Sequence, residues 1–224
     1  MKCDLHVHTR FSYDTNSSPK EMVEAAIKNG IDCLAITDHN EVQGALEAEK
    51  YATDKSVLII PGIEVKSRKG DILGLNVRER ISSGLPARET IKKIKEKGGI
   101  AVIPHPFAWP GHFKGDLKDL IKEIDGVEVL NASIFPSANK KALEFAKRNN
   151  LPFTVGSDAH FPNFIGGSYL EVPGENLSIR EVLERIRNKN VKLKGKEINL
   201  LEGIFDHAKR NIIKLSKAFS YRPC

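Results

Sequence analysis

The chain has 224 residues, 40% hydrophobic and 29% charged with 17 Gly and 11 Pro, enough apolar material for one large core, which excludes disorder as its dominant state. Against 29 Asp and Glu stand 35 Lys and Arg, and the net charge of +6 mildly favours anionic partners without demanding a nucleic acid. Apolar runs such as Val57–Ile60 are far too short for a bilayer, and Asp4 falls where a signal peptide builds its apolar core, so a cytoplasmic protein with no membrane partner is expected.

Short β-rich runs alternate with stretches of helical periodicity, the order of a mostly parallel sheet flanked by helices. The predicted strands are Lys2–His8, Cys33–Thr37, Val57–Val65, Ile72–Val77, Ile100–Ile103, Gly126–Asn131, Phe153–Gly156 and Ser168–Val172. The predicted helices are Pro19–Lys28, Gln43–Tyr51, Ala87–Lys97, Leu117–Ile124, Ser137–Arg148 and Ile179–Arg187. Ser18-Pro19 with Glu21 reads as a capped start and Gly30 as a stop, and Ser178 with Glu181 is a second capping box. The tail 197–224 has helical spacing at Leu200, Ile204, Ile212 and Leu215 and is expected to pack on the rest as a final helix. No linker or repeat divides the chain, so one domain is expected. The first strand is followed by Thr9-Arg10-Phe11-Ser12-Tyr13-Asp14, which lacks the glycine fingerprint of a dinucleotide-binding sheet, and about seven strand-then-helix units fall just short of an eight-unit barrel. Cys3, Cys33 and Cys224 form no spacing motif; the first two lie in strand-like runs and read as reduced, buried thiols.

Five of the seven histidines fall at the carboxyl ends of predicted strands. In Asp4-Leu5-His6-Val7-His8 the two-residue strand period puts Asp4, His6 and His8 on one face and Cys3, Leu5 and Val7 on the other. Parity likewise turns Ala35, Thr37 and His39 inward together. Glu64 follows Pro61-Gly62-Ile63 as a carboxylate able to bridge two ions, His105 stands between two prolines, and Asp158 and His160 form a mixed pair. Singly each is an ordinary strand-end residue. Jointly, a barrel brings all such ends to one rim, and a crowd of buried acceptors is tolerable mainly with cations among them.

Asp4-Leu5-His6-Val7-His8-Thr9, Thr37-Asp38-His39-Asn40, Gly62-Ile63-Glu64, His105-Pro106 and Ser157-Asp158-Ala159-His160 together resemble the motifs of the PHP (polymerase and histidinol phosphatase) domain family over residues 2 to 170. The resemblance implies an α/β fold, a distorted seven-stranded (β/α) TIM-like barrel; with the absence of a linker and the helical spacing of the tail, a single domain over 1–224 is expected, with 197–224 a C-terminal helical extension packed on it. It implies two or three divalent metal ions, zinc, manganese or iron. His6, His8, Glu64 and Asp158 would hold one, Glu64 and His105 a second, and Asp14, His39 and His160 a third; Asp14 also fits a plain turn residue. Where trinuclear relatives often carry a further His, this chain has Asp71, either a hard-cation ligand or a solvated turn acid.

The activity so implied is metal-dependent phosphoester hydrolysis by a metal-activated hydroxide on a small phosphorylated metabolite or nucleotide. Asp158 or His160 would protonate the leaving group, Arg10 would contact the phosphoryl group, and Asp38 and Asn40 would orient His39. Lys66 and Arg68 are weaker candidates for phosphate contact. The loop Phe107–Lys114 reads either as a lid or base-stacking surface, or as a packed loop with Trp109 in the core. The alternatives are a nuclease on single-stranded nucleic acid and, from another class, a non-catalytic nucleic-acid-binding scaffold; the intact set of histidines and acids argues against the scaffold. His112 and His207 lie outside the set.

Overall fold

The computed structural model describes residues 1–54, 56–109, 112–196 and 200–220. The elements in chain order are β1 (Lys2–Val7), α1 (Pro19–Lys28), β2 (Cys33–Ile36), α2 (Gln43–Ala52), β3 (Leu58–Ser67), β4 (Gly70–Leu75), α3 (Ala87–Glu96) and β5 (Ile100–Ile103). There follow β6 (Gly126–Asn131), α4 (Pro136–Arg148), β7 (Phe153–Gly156), β8 (Ser168–Glu171), α5 (Ile179–Arg187), β9 (Lys192–Gly195) and α6 (Leu200–Ser220). Both expected capping boxes form: Ser18 and Ser178 each cap the third helical amide while Glu21 and Glu181 reach back to the cap. The expected helix over Leu117–Ile124 shrinks to a 3-10 turn at Leu117–Leu120, because the chain must re-enter the sheet through Asp125 N–H on the Ala101 carbonyl.

The sheet runs β7-β6-β5-β4-β3-β2-β1-β8-β9, nine strands among the described residues rather than the expected seven. It is also less parallel than expected. β1–β2–β3 and β5–β6–β7 run parallel, but β4 turns back antiparallel between β3 and β5. β8 lies antiparallel on the start of β1, and β9 extends that edge. β9 consists of exposed Lys192, Leu193, Lys194 and Gly195, so it carries no buried-strand signal. The barrel nearly closes where the chain beyond β7 meets the end of β1: Asp158 N–H donates to the His6 carbonyl (2.8 Å) and His8 N–H to the Ala159 carbonyl (2.9 Å). Gly156 permits this approach, since a Cβ there would stand 2.4 Å from the His6 Cβ.

One core cluster holds Cys3, Leu5, Cys33, Ala35, Ile60, Leu73 and Val102; a second, under α1 and α2, holds Val7, Leu34, Ile36, Met22 and Ala45. This partition shows where simple alternation fails. β1 pairs Asp4 with Leu34 and then Val7 with Ile36, three residues advancing against two, so a bulge interrupts it. Asp4 therefore does not share a face with His6 and His8; its buried carboxylate accepts the amides of Ser157 and Gly166. Cys3 and Cys33 are register partners and free buried thiols, and their mutual hydrogen bond and burial push the Cys33 thiol up. Cys224 lies outside the described residues. Among those residues no helix is long and apolar enough to cross a membrane.

α6 corrects the expected packing face. Ile212 and Leu215 are exposed, with Phe205, whereas Asp206, Arg210, Ile213 and Lys217, at three- and four-residue spacing, form the docked stripe.

Candidate metal centre

Five strands, or the turns just beyond them, deliver His6 and His8 (β1), His39 (β2), Glu64 (β3), His105 (β5) and the pair Asp158 and His160 (β7) to one rim; Asp14 joins from the loop after β1. His39 is bridged to Glu64 in parallel register. His105 (φ 29°) and Asp158 (φ 53°) sit in the left-handed region that non-glycine residues seldom adopt, the kind of strain stored at functional sites.

The donor atoms converge. His6 Nε2 and His8 Nε2 are 3.1 Å apart, and Asp158 Oδ1 lies 3.7 Å from the first and 3.2 Å from the second. Glu64 reaches both ways: Oε2 is 2.7 Å from His39 Nδ1 and 3.5 Å from His8 Nε2, and Oε1 is 3.2 Å from His105 Nε2. Asp14 Oδ2 stands 3.3 Å from His39 Nε2 and 3.1 Å from His160 Nε2. Three triads have one donor atom each within 4.8 Å of the others: His8, His39, His160; His6, His8, Asp158; and His6, Glu64, His105.

The donor set fits divalent cations. Asp14 Oδ1 is buried with no hydrogen-bond partner, and Glu64 Oε2 and His160 Nε2, though 2.7 Å from His39 Nδ1 and 3.1 Å from Asp14 Oδ2, are not aligned for hydrogen bonds with them; such buried atoms are costly unless something occupies their lone pairs. Neighbouring groups also orient three of the five imidazoles with Nε2 toward the centre. His6 Nδ1 donates to Glu128 Oε1 at 3.0 Å. Ser12 Oγ donates to Asp38 Oδ1 (2.8 Å) and so accepts from His8 Nδ1 at 3.0 Å. His160 Nδ1 donates to the Asp158 carbonyl at 2.9 Å. In each case the neutral ring carries its lone pair on Nε2.

Burial pushes the His8 imidazole down to about 3, assisted by His160 and His39. For His6 burial acts downward, but the Glu128 and Asp158 carboxylates outweigh it and raise its pKa. His39 and His105 are also raised, with Glu64 overcoming burial. Burial would raise Glu64 and Asp158, yet the imidazoles, His39 on the one and His6 on the other, hold both well below the carboxylate range.

Glu128 escaped the sequence reading. It is 1% exposed and also accepts His105 N–H (2.9 Å) and Asn131 Nδ2 (3.0 Å) on Oε2. The available signal was a lone acid in the apolar strand Gly126–Asn131. Asp38 acts through Ser12 on His8 rather than on His39, because its oxygens take Thr9 N–H, Thr9 Oγ and Ser12 Oγ. Asn40 instead accepts Lys66 N–H.

Arg10 is not brought into the cluster. Its guanidinium is half-exposed and paired with Glu47 at 3.0 Å. Asp71 is largely buried and held 3.1 Å from Lys66 Nζ; burial and then Glu64 raise its pKa, so it stands near the centre but outside the three triads. Arg68 donates to the Gly84 carbonyl. Trp109 is 79% exposed, which excludes the expected alternative of a core indole; Phe113 is the buried aromatic of that loop. His112 and His207 are exposed.

A barrel rim carrying five imidazoles and three carboxylates around shared points has the donor chemistry of a divalent-metal centre. The family model of the PHP domain matches residues 4–221, and the chain belongs to that family. Two uncharacterised proteins of Methanocaldococcus jannaschii are similar to it: one is 41% identical over 143 residues, covering 59% of this chain and 82% of that protein, the other 32% over 218 residues, covering 90% and 86%. Among solved structures, a two-domain protein of Bacteroides vulgatus containing a predicted PHP-like metal-dependent phosphoesterase superposes with a TM-score of 0.75 at 20% identity, over 92% of this chain and 69% of that one; that likeness is one of fold.

Proposed function

We propose that the protein is a metal-dependent phosphoesterase acting on a small phosphorylated metabolite or nucleotide. The observation that carries this reading is the set of orphaned, buried donor atoms of Asp14, Glu64 and His160 among three interlocking triads. Membership of the PHP family supports it. One cation would be held by His6, His8, Glu64 and Asp158, a second by Glu64 and His105, and a third by Asp14, His39 and His160. Divalent cations supply Lewis acidity toward phosphoryl oxygens and acidify water at neutral pH.

The chain's own part is to pre-organise the ligands. Glu128, the Ser12–Asp38 pair and the Asp158 carbonyl each take the Nδ1 side of His6, His8 and His160, so the nitrogen turned to the centre is Nε2 in all three. Asn131 Nδ2 donates to both Glu128 Oε2 and Asp158 Oδ2 (3.3 Å), which steadies the second carboxylate. No activated serine or cysteine is required. His160 and Asp158 remain the groups proposed to return a proton to the leaving oxygen.

The test is elemental analysis of purified protein coupled to phosphate release from a panel of sugar phosphates, mononucleotides and bisphosphates, with and without chelator. Turnover lost on chelation and in the His8→Ala, Asp158→Ala double variant is expected. Cleavage of oligonucleotides with no release from any small ester would replace this reading with the nuclease. Function unaltered in the double variant would replace it with the scaffold.

A further inference from the structure

The docked stripe of α6 crosses the centre's rim with charged groups, and two of its cations are used differently. Lys217 Nζ is satisfied: it donates to the carbonyls of Arg10 (3.0 Å), Ser12 (2.8 Å) and Thr15 (2.6 Å), latching α6 to the loop that carries Ser12 and Asp14. Arg210 is not. Its Nη2 pairs with Asp206 Oδ2 at 2.8 Å, but its buried Nε has no partner. Its Nη1 lies 3.3 Å from His160 Nδ1. That nitrogen already carries the proton it donates to the Asp158 carbonyl, so a donor there faces a donor and no hydrogen bond results.

A guanidinium with unspent donors, 18% exposed beside one imidazole of the centre, lacks its acceptor. Apart from Asp206, no acid among the described residues stands within ion-pair distance of it. A planar fork of N–H groups matches two oxygens of one tetrahedral anion. We propose that Arg210 binds a phosphoryl oxygen of the substrate beside the metal centre, so that α6 completes the site and supplies the phosphate-binding role that the sequence alone gave to Arg10. This rests on the phosphoesterase reading and assigns one of its substrate contacts to a residue outside the ligand motifs.

The experiment uses the full, metal-loaded chain, with inorganic phosphate as the probe in calorimetric titration and with steady-state kinetics on an ester found in the panel. Arg210→Gln is expected to keep its metal content and to weaken phosphate binding about 10- to 100-fold, with KM rising in parallel, the loss typical of a charge-assisted hydrogen bond. Arg210→Lys should recover part of it. Asp206→Asn removes the anchor but keeps the guanidinium, so it should lower Tm and leave phosphate affinity within about threefold; if Arg210 only anchors α6, both variants lower Tm and neither changes phosphate affinity. Leu215→Ala, on the exposed side of the helix, is the control expected to match the parent. Phosphate affinity and KM within twofold of the parent in Arg210→Gln would overturn the proposal while the phosphoesterase reading stands. A parent protein that turns over no ester overturns that reading, and the substrate contact with it.

Discussion

Replacing Glu128 by Gln changes one atom in a buried site, and its consequences follow from counting donors. Three converge on the carboxylate: His6 Nδ1 on Oε1, and His105 N–H with Asn131 Nδ2 on Oε2. A glutamine offers one acceptor oxygen. If that oxygen stays with His105 and Asn131, the amide NH2 faces His6 Nδ1 and forces the ring proton onto Nε2, the nitrogen aimed at His8 and Asp158. If it turns to His6, the NH2 faces the His105 N–H and leaves a buried donor unsatisfied, at about 1–3 kcal/mol. The first outcome should weaken cation binding about 10- to 100-fold, the usual effect of losing a partner behind a metal-bound imidazole, whereas the second keeps that partner and costs stability instead. Competition titration against a chromophoric chelator measures this, and urea unfolding of the metal-free protein separates the two cases, because only the second lowers stability. Affinity within threefold of the parent, with unchanged stability, would refute the assignment of Glu128 as the group that orients His6.

Gly156→Ala should be among the most damaging single changes outside the ligand set, costing about 1–3 kcal/mol or more in urea unfolding together with metal content, because its Cβ would stand 2.4 Å from the His6 Cβ and 2.8 Å from the His6 nitrogen. Ser12→Ala removes the acceptor of His8 Nδ1 and should weaken metal binding about tenfold in the same chelator titration without affecting the fold. His6, His39 and His105 are held above the ordinary imidazole value in the metal-free protein, so cations must displace protons there; apparent affinity should fall as pH falls from 8 to 6, and calorimetry in buffers of different ionisation enthalpy should show proton release on loading. The chain has one tryptophan, and Trp109 should emit as a water-exposed indole, be quenched freely by iodide, and tolerate replacement by Ala within about 0.5 kcal/mol.

What could be read from the sequence, and what could not, divides along strand parity. His6, His8, His39, His105, Asp158 and His160 stand at or just past strand ends, and Glu64 lies just beyond the point where β3 leaves its parallel pairing with β2; a barrel collects such positions whatever its internal register. Residues whose role depends on register were misjudged. The bulge in β1 turns Asp4 away from His6, so the expected shared face does not exist. β6 advances two residues, Glu128 to Leu130, while β7 advances one, Thr154 to Val155, and this slip lets Glu128 and Asn131, which strict alternation would put on opposite faces, meet at 3.0 Å beside the centre. Bulges of this kind leave no pattern in single-strand composition, because the extra residue is as apolar as its neighbours. The helix α6 was misread for the opposite reason. Apolar spacing at Ile212 and Leu215 marks the face a helix buries against an apolar core, but the surface beneath α6 is the polar rim itself, occupied by His160, the Ser12 and Thr15 carbonyls and the carboxylates behind them. A helix laid over such a rim must present donors to it, so its docked stripe is Asp206, Arg210, Ile213 and Lys217, and its apolar residues are left on the outside.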